Sequence, residues 1–173
     1  MRPPRLLYAA LTLALLAPAA AGAQLLPWPG GFGAAGRGWT PIVAARLGWS
    51  IRDAAPAVGV QLRIPLPIPV LRPSLTAGGD LVFQQGLRER QGFADATLGM
   101  FAPLYVGGGA VALNSVFSDS AERQTKLGFS LVANVRGGRM GPLTSEIEFR
   151  WMKVGELSPR FLTLSLGYQL RGD

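Results

Sequence analysis

Beyond residue 40 the chain alternates apolar and polar residues with a period of two, in runs of roughly ten residues bounded by Gly, Pro, Asp and Ser, the pattern of β-strands. The late runs are the clearest. Leu127, Phe129, Leu131, Ala133 and Val135 share one face, opposite Lys126, Gly128, Ser130, Asn134 and Arg136, with Val132 the exception. Leu143, Ile147, Phe149 and Trp151 oppose Thr144, Glu146, Glu148 and Arg150, and Leu162, Leu164, Leu166, Tyr168 and Leu170 oppose Thr163, Ser165, Gly167 and Gln169. Earlier runs repeat the theme: Val43, Ala45, Leu47, Trp49 and Ile51 against Arg46, Gly48 and Ser50, then Val58, Val60, Leu62 and Ile64 against Gly59, Gln61 and Arg63. A third places Arg72, Ser74, Thr76 and Asp80 on one face, and a fourth sets Asp95 and Thr97 against Leu98 and Met100. Eight strands are predicted, at 41–51, 55–64, 70–83, 92–101, 104–117, 125–136, 142–152 and 160–170, with the fifth ambiguous in register because both its faces are apolar or glycine.

The connections alternate in character. Pro65–Pro69 and Ala102-Pro103 are compact and uncharged, whereas 84–91 and 118–125 are longer and charged; Gly137–Gly141 is a longer third turn on the compact side. An up-and-down barrel of an outer membrane has short turns at its periplasmic end and longer loops outside, and an even strand number returns both termini to the periplasmic end.

Ahead of the strands, Arg2 and Arg5 precede an apolar core from Leu6 to Leu16, and Ala21-Gly22-Ala23 has the small-x-small pattern of a cleavage site. Residues 1–23 are therefore predicted to be a cleaved signal peptide with the cut between Ala23 and Gln24; the apolar run breaks at Pro18, short of the roughly 20 residues that a membrane-spanning helix needs. Residues 24–39 form a Gly/Pro-rich arm, and 40–173 the barrel domain. The arm contains G-x-G-x-x-G from Gly31 to Gly36, but a dinucleotide site needs those glycines between a strand and a helix, and neither pattern flanks them.

Composition excludes more than it assigns. There is no cysteine and no histidine, which removes disulfides, thiolate or imidazole metal sites and histidine-based hydrolysis. Neither a cofactor nor a metal site is expected. Of the 17 basic residues only Lys126 and Lys153 are lysines, and the basic residues are scattered rather than gathered with aromatics into a patch, which speaks against nucleic acid. Loss of Arg2 and Arg5 with the signal leaves 15 basic against 10 acidic residues.

Which way the faces point is decided by the polar face. It is rich in small residues, among them Gly48, Gly59, Ser74, Gly78, Gly99, Gly128, Ser130, Ser165 and Gly167, where a water-exposed sheet face would favour Thr, Lys, Glu and Gln. Small residues with sparse charges suit the packed interior of an eight-stranded barrel. Arg46, Arg72, Asp80, Asp95, Lys126, Glu146, Glu148 and Arg150 are then expected to form a structural polar network in the lumen, with the Leu, Val, Phe and Trp set facing lipid. The opposite orientation would make a soluble, lipocalin-like exported binder.

With these features the chain resembles the small eight-stranded outer-membrane β-barrel proteins of Gram-negative-type bacteria. The resemblance covers residues 40–173 and rests on the signal, the eight segments and the last strand, Phe161 to Leu170 with its aromatic Tyr168. It implies an all-β, antiparallel up-and-down transmembrane barrel in the outer membrane, monomeric, contacting lipids, with the last strand read by the barrel-assembly machinery. The Arg171-Gly172-Asp173 tail departs from that family's usual aromatic ending; it also spells an integrin-binding tripeptide, which at a periplasmic terminus meets no animal cell.

Glu146 and Glu148, two residues apart on one strand face, form the one pair with the look of glycosidase carboxylates; with arginines nearby they read instead as neutralised lumen charges. The expected function is non-catalytic: a structural, envelope-integrity or surface-interaction barrel. The alternatives are a narrow channel or apolar-ligand conduit, and the soluble binder.

Overall fold

The computed structural model describes residues 40–68, 71–84, 87–101, 103–117 and 123–170. The strands run in chain order: β1 (Ile42–Ser50), β2 (Ala55–Pro65), β3 (Ser74–Gln84), β4 (Leu87–Phe101), β5 (Leu104–Phe117), β6 (Arg123–Met140), β7 (Leu143–Lys153) and β8 (Arg160–Gln169). Each pairs antiparallel with the next, and β1 pairs back onto β8 from Ile42↔Gln169 to Ser50↔Phe161, closing an up-and-down barrel of eight strands. Closure pairs the terminal strands and so removes the sheet edges that would invite another chain.

Alternation fixes the facing. In β1, Ile42, Ala44, Arg46 and Ser50 are buried inside, while Val43, Ala45 and Leu47 are exposed outside. The same holds around the wall: Leu47 is 64% exposed, Leu131 54% and Leu166 60%, whereas Arg46 is 1% exposed and Arg150 0%. Burying arginines while exposing leucines is the reverse of a soluble barrel, so the lipocalin-like arrangement is not this one. It is the arrangement of a transmembrane barrel, whose outward band meets lipid. Outward aromatics sit toward both ends: Trp49 and Trp151 at the end opposite the termini, the latter edge-on to Phe129 with ring centroids 5.6 Å apart, and exposed Phe101 and Tyr168 at the other.

The connections differ from expectation. Segment 84–91 is strand, not loop: β3 and β4 pair as far as Gln84↔Leu87, leaving residues 85–86 as the link. Gln91, Arg90 and Glu89 continue the inside–outside alternation without an apolar face, so hydrophobic periodicity could not reveal them. The β5–β6 link shrinks to 118–122. Gly137–Gly141 is no long turn, because β6 runs on to Met140 through a register shift between Arg136 and Arg139, and only 141–142 remain as the turn, with Gly141 at φ 61°. β3 starts at Ser74 rather than 70, since Pro73 cannot donate to a ladder and Leu71 carbonyl instead accepts from Gly99 N–H at 2.8 Å. The longest connection, 66–73, therefore lies at the terminal end, against the expected pattern of longer loops outside.

Strand length is uneven. β4, β5 and β6 have 15, 14 and 18 residues against 9 in β1 and 10 in β8. β6 residues Arg123–Gly128 pair with β5 alone, because pairing with β7 begins at Phe129↔Lys153. The β4–β6 wall thus rises past β7 at the end opposite the termini.

Candidate functional site: the polar lumen

Inward-facing positions of the strands stack into layers. Nearest the termini, Glu146 on β7 accepts from Arg63 on β2 and from Arg136 Nε on β6, the latter at 3.0 Å. Arg136 also donates to Ser74 Oγ at 2.8 Å and Thr97 Oγ1 at 3.1 Å, and its guanidinium lies 3.6 Å from the centre of the Tyr105 ring. In the middle, Glu148 Oε1 accepts from Arg46 Nη2 at 2.9 Å and from Arg150 Nε at 3.0 Å. Arg46 Nε reaches Asp80 Oδ1 at 2.9 Å, and Arg150 Nη2 reaches Asp95 Oδ2 at 2.7 Å. The Phe93 ring packs against both arginines, its centre 4.6 Å from the Arg46 guanidinium and 3.8 Å from that of Arg150, a cation–π arrangement that desolvation strengthens. Toward the far end the lumen turns apolar: Ala55, Ala57, Val82, Val111, Leu113, Met152, Val154 and Phe161 pack together with exposures of 3% or less.

Two inward glycines make this packing possible. A Cβ on Gly59 would collide with Asp80 Oδ1, and one on Gly78 would fall 2.7 Å from Phe93 Cζ. Larger residues there would evict the carboxylate or the ring.

Charge closes within the network. Arg46, Arg63, Arg136 and Arg150 face Asp80, Asp95, Glu146 and Glu148, four against four, and every ion pair among the described residues joins members of this set. A buried charge without a partner is costly, so the balance is what permits eight ionised groups in so narrow a space. It also determines the chemistry. Each of Glu146 and Glu148 is held by two guanidiniums and is at most 4% exposed, with no room for a sugar between them. The glycosidase geometry, carboxylates flanking a bond to be cut, is absent from this pair.

Six of the eight residues expected in the network meet in it. Arg72 does not: it sits in the 66–73 connection at φ 41°, exposed, because the strand begins beyond it. Lys126 has the lumen-facing parity of Ser130 but lies on β6 above the first β7 pair, where no wall encloses it, and is exposed. The alternation had put Arg63, Gln61 and Arg136 on inward faces without naming them as network members; what the pattern lacks is depth along the barrel axis. Phe93 shares its face with Asp95, which was the available sign that an aromatic enters the polar layer. The Ala23–Gln24 cut, the G-x-G-x-x-G arm and the Arg171–Asp173 tail lie outside the described residues.

No family model matches the chain, and no curated protein is similar to it in sequence. Solved structures do share its fold. The N-terminal β-barrel domain of Pseudomonas aeruginosa OprF superimposes with a TM-score of 0.62 at 14% identity, covering 76% of this chain and 97% of that one. Yersinia pestis Ail, the attachment invasion locus protein, crystallised with the heparin analogue sucrose octasulfate, gives a TM-score of 0.50 at 10% identity, covering 76% and 97%. Neisserial surface protein A gives 0.47 at 16% identity, covering 77% and 95%. The chain has the fold of small eight-stranded outer-membrane β-barrels.

Proposed function

We propose that this chain is a sealed barrel of the outer membrane with a structural, non-catalytic role in the envelope, held by lipid contacts and inserted through its last strand by the barrel-assembly machinery. The observation that carries the reading is the filled lumen: a charge-balanced polar layer capped by an apolar plug around Met152, Val154 and Phe161, each 1% exposed or less. Such a plug presents a dehydrated barrier to ions, and eight strands leave space only for side chains. In planar bilayers the purified protein is expected to give no unitary conductance steps. Reproducible steps that disappear when the protein is omitted would overturn the sealed reading in favour of a channel.

A surface-interaction role is favoured by the rising wall. Among the described residues, Arg123–Leu127 present one strand edge without a ladder partner, and an edge of this kind accepts an extended segment by strand addition. The chain has no cysteine, so a single Thr125→Cys label reports on this edge alone. A maleimide that does not cross membranes should react with it on intact cells; a label excluded until lysis would contradict exposure at the cell surface.

A further inference from the structure

The connection from β2 to β3 is long at the end where such barrels have short turns, and its chemistry is unlike that of a turn in water. From Ile64 to Leu71 the sequence reads Ile-Pro-Leu-Pro-Ile-Pro-Val-Leu, with no charged or hydrogen-bonding side chain. The Gly, Asn, Asp and Ser that water-exposed turns favour are missing from this run. Its backbone needs little water. Pro65, Pro67 and Pro73 carry no N–H, and the amides of Leu66, Ile68 and Arg72 donate to the carbonyls of Pro73, Leu66 and Ile68 at 2.8, 2.8 and 3.0 Å. Donors that are removed or satisfied internally lower the cost of leaving bulk water.

β4 fixes where the connection lies. β3 and β4 pair in one register from Gln84↔Leu87 to Ser74↔Thr97, and that register carried past Ser74 sets Leu71 beside Met100. Gly99 N–H donates to Leu71 carbonyl at 2.8 Å and holds the segment there. Leu71 has the parity of Leu75, Leu81 and Phe83, the outward set of β3, and Met100 has the parity of outward Leu98 on β4. Leu71 is 51% exposed and Met100 63%, and Ile68 and Phe101 are exposed as well. Continuity selects the occupant of this surface. Apolar surface runs from outward Leu75 and Leu98 through Leu71 and Met100, so the connection extends the lipid-facing wall instead of standing apart from it. Outward Phe101 marks the same level, and aromatics of transmembrane barrels lie at the interface between acyl chains and headgroups.

We propose that Ile68 and Leu71, with Met100 of β4, form a foot seated in the boundary between headgroups and acyl chains of the leaflet at the terminal end. This foot is a lipid-binding surface beyond the barrel wall itself. It rests on the membrane reading above, and the test separates the two. The chain has no cysteine, so the variants Ile68→Cys, Leu71→Cys, Leu164→Cys and Thr125→Cys each take a single bimane label. Each full chain is folded into phosphatidylcholine vesicles whose acyl chains carry bromine either near the headgroup or near the methyl end, and heat-modifiable gel migration reports insertion. The mid-wall Leu164 label should lose more fluorescence to the deep bromine, the Ile68 and Leu71 labels more to the shallow one, and the Thr125 label on the rising wall little to either. A Leu164 label quenched by neither lipid would overturn the membrane reading and the foot with it. Ile68 and Leu71 labels that behave like the Thr125 label, while Leu164 is quenched, would overturn the foot alone and leave this surface to water or to a soluble protein. Deeper quenching at Ile68 and Leu71, matching Leu164, would contradict an interfacial depth. Loss of insertion in both loop variants would make the segment a part of the barrel's own packing and overturn the lipid contact.

Discussion

Glu148→Gln should destabilise the barrel, though by less than the roughly 3–5 kcal/mol of a fully orphaned buried charge, because Arg46 keeps Asp80 and Arg150 keeps Asp95. Glu148 is 2% exposed, and one of its oxygens serves two guanidiniums, Arg46 at 2.9 Å and Arg150 at 3.0 Å. Glutamine keeps the shape and can still accept a hydrogen bond, but it removes the charge that both arginines share. The two cations, both packed against the Phe93 ring, then have Asp80 and Asp95 as their remaining carboxylates. Denaturant unfolding in a single detergent measures the loss. A second substitution supplies the control: Asp95→Asn in the Glu148→Gln background takes the last carboxylate from Arg150, so the double variant should lose more stability than the two single variants summed. An unchanged midpoint in Glu148→Gln would show that the carboxylate is not held as an ion pair, and would reopen a catalytic role for it.

The network also shows what a linear pattern carries and what it leaves out. Period-two alternation placed Arg46, Asp80, Asp95, Glu146, Glu148 and Arg150 on one side of their strands, and the abundance of Gly and Ser there indicated an interior. Both features are consequences of the pleat and of lumen width, so they are local enough to read from the chain. Depth is not local. Whether an inward residue is enclosed depends on where the neighbouring strands stop, which is why Lys126 on a long strand stands free while Arg136 on the same strand is buried in part and paired. The strand ends were missed for a related reason. Residues 87–91 and 139–140 lie in strands held by ladder pairing with their neighbours, yet outside the apolar band there is no selection for one hydrophobic face, so the sequence reads as loop. The apolar plug was invisible for the converse reason: Val111, Leu113, Met152 and Phe161 point inward with the polar residues, and an apolar residue carries no mark of which side of a membrane wall it occupies.

The direction of the strand faces is tested most directly at Leu164. This residue lies mid-strand in β8, is 43% exposed on the outside of the barrel, and pairs with Leu47 on one side and Ile147 on the other, both outward. Near the centre of a bilayer, an outward arginine in a barrel strand costs about 2–4 kcal/mol, whereas on a water-exposed sheet the same change costs little. The measurement is a urea titration of folding into phosphatidylcholine vesicles, with the folded fraction read from the shift in gel migration between unheated and boiled samples. The parent is expected to show the heat-dependent shift, and Leu164→Arg to require markedly less urea to unfold, in line with that cost. A parent that stays in solution without a shift, or a Leu164→Arg variant with the parent's midpoint, would contradict a lipid-facing wall.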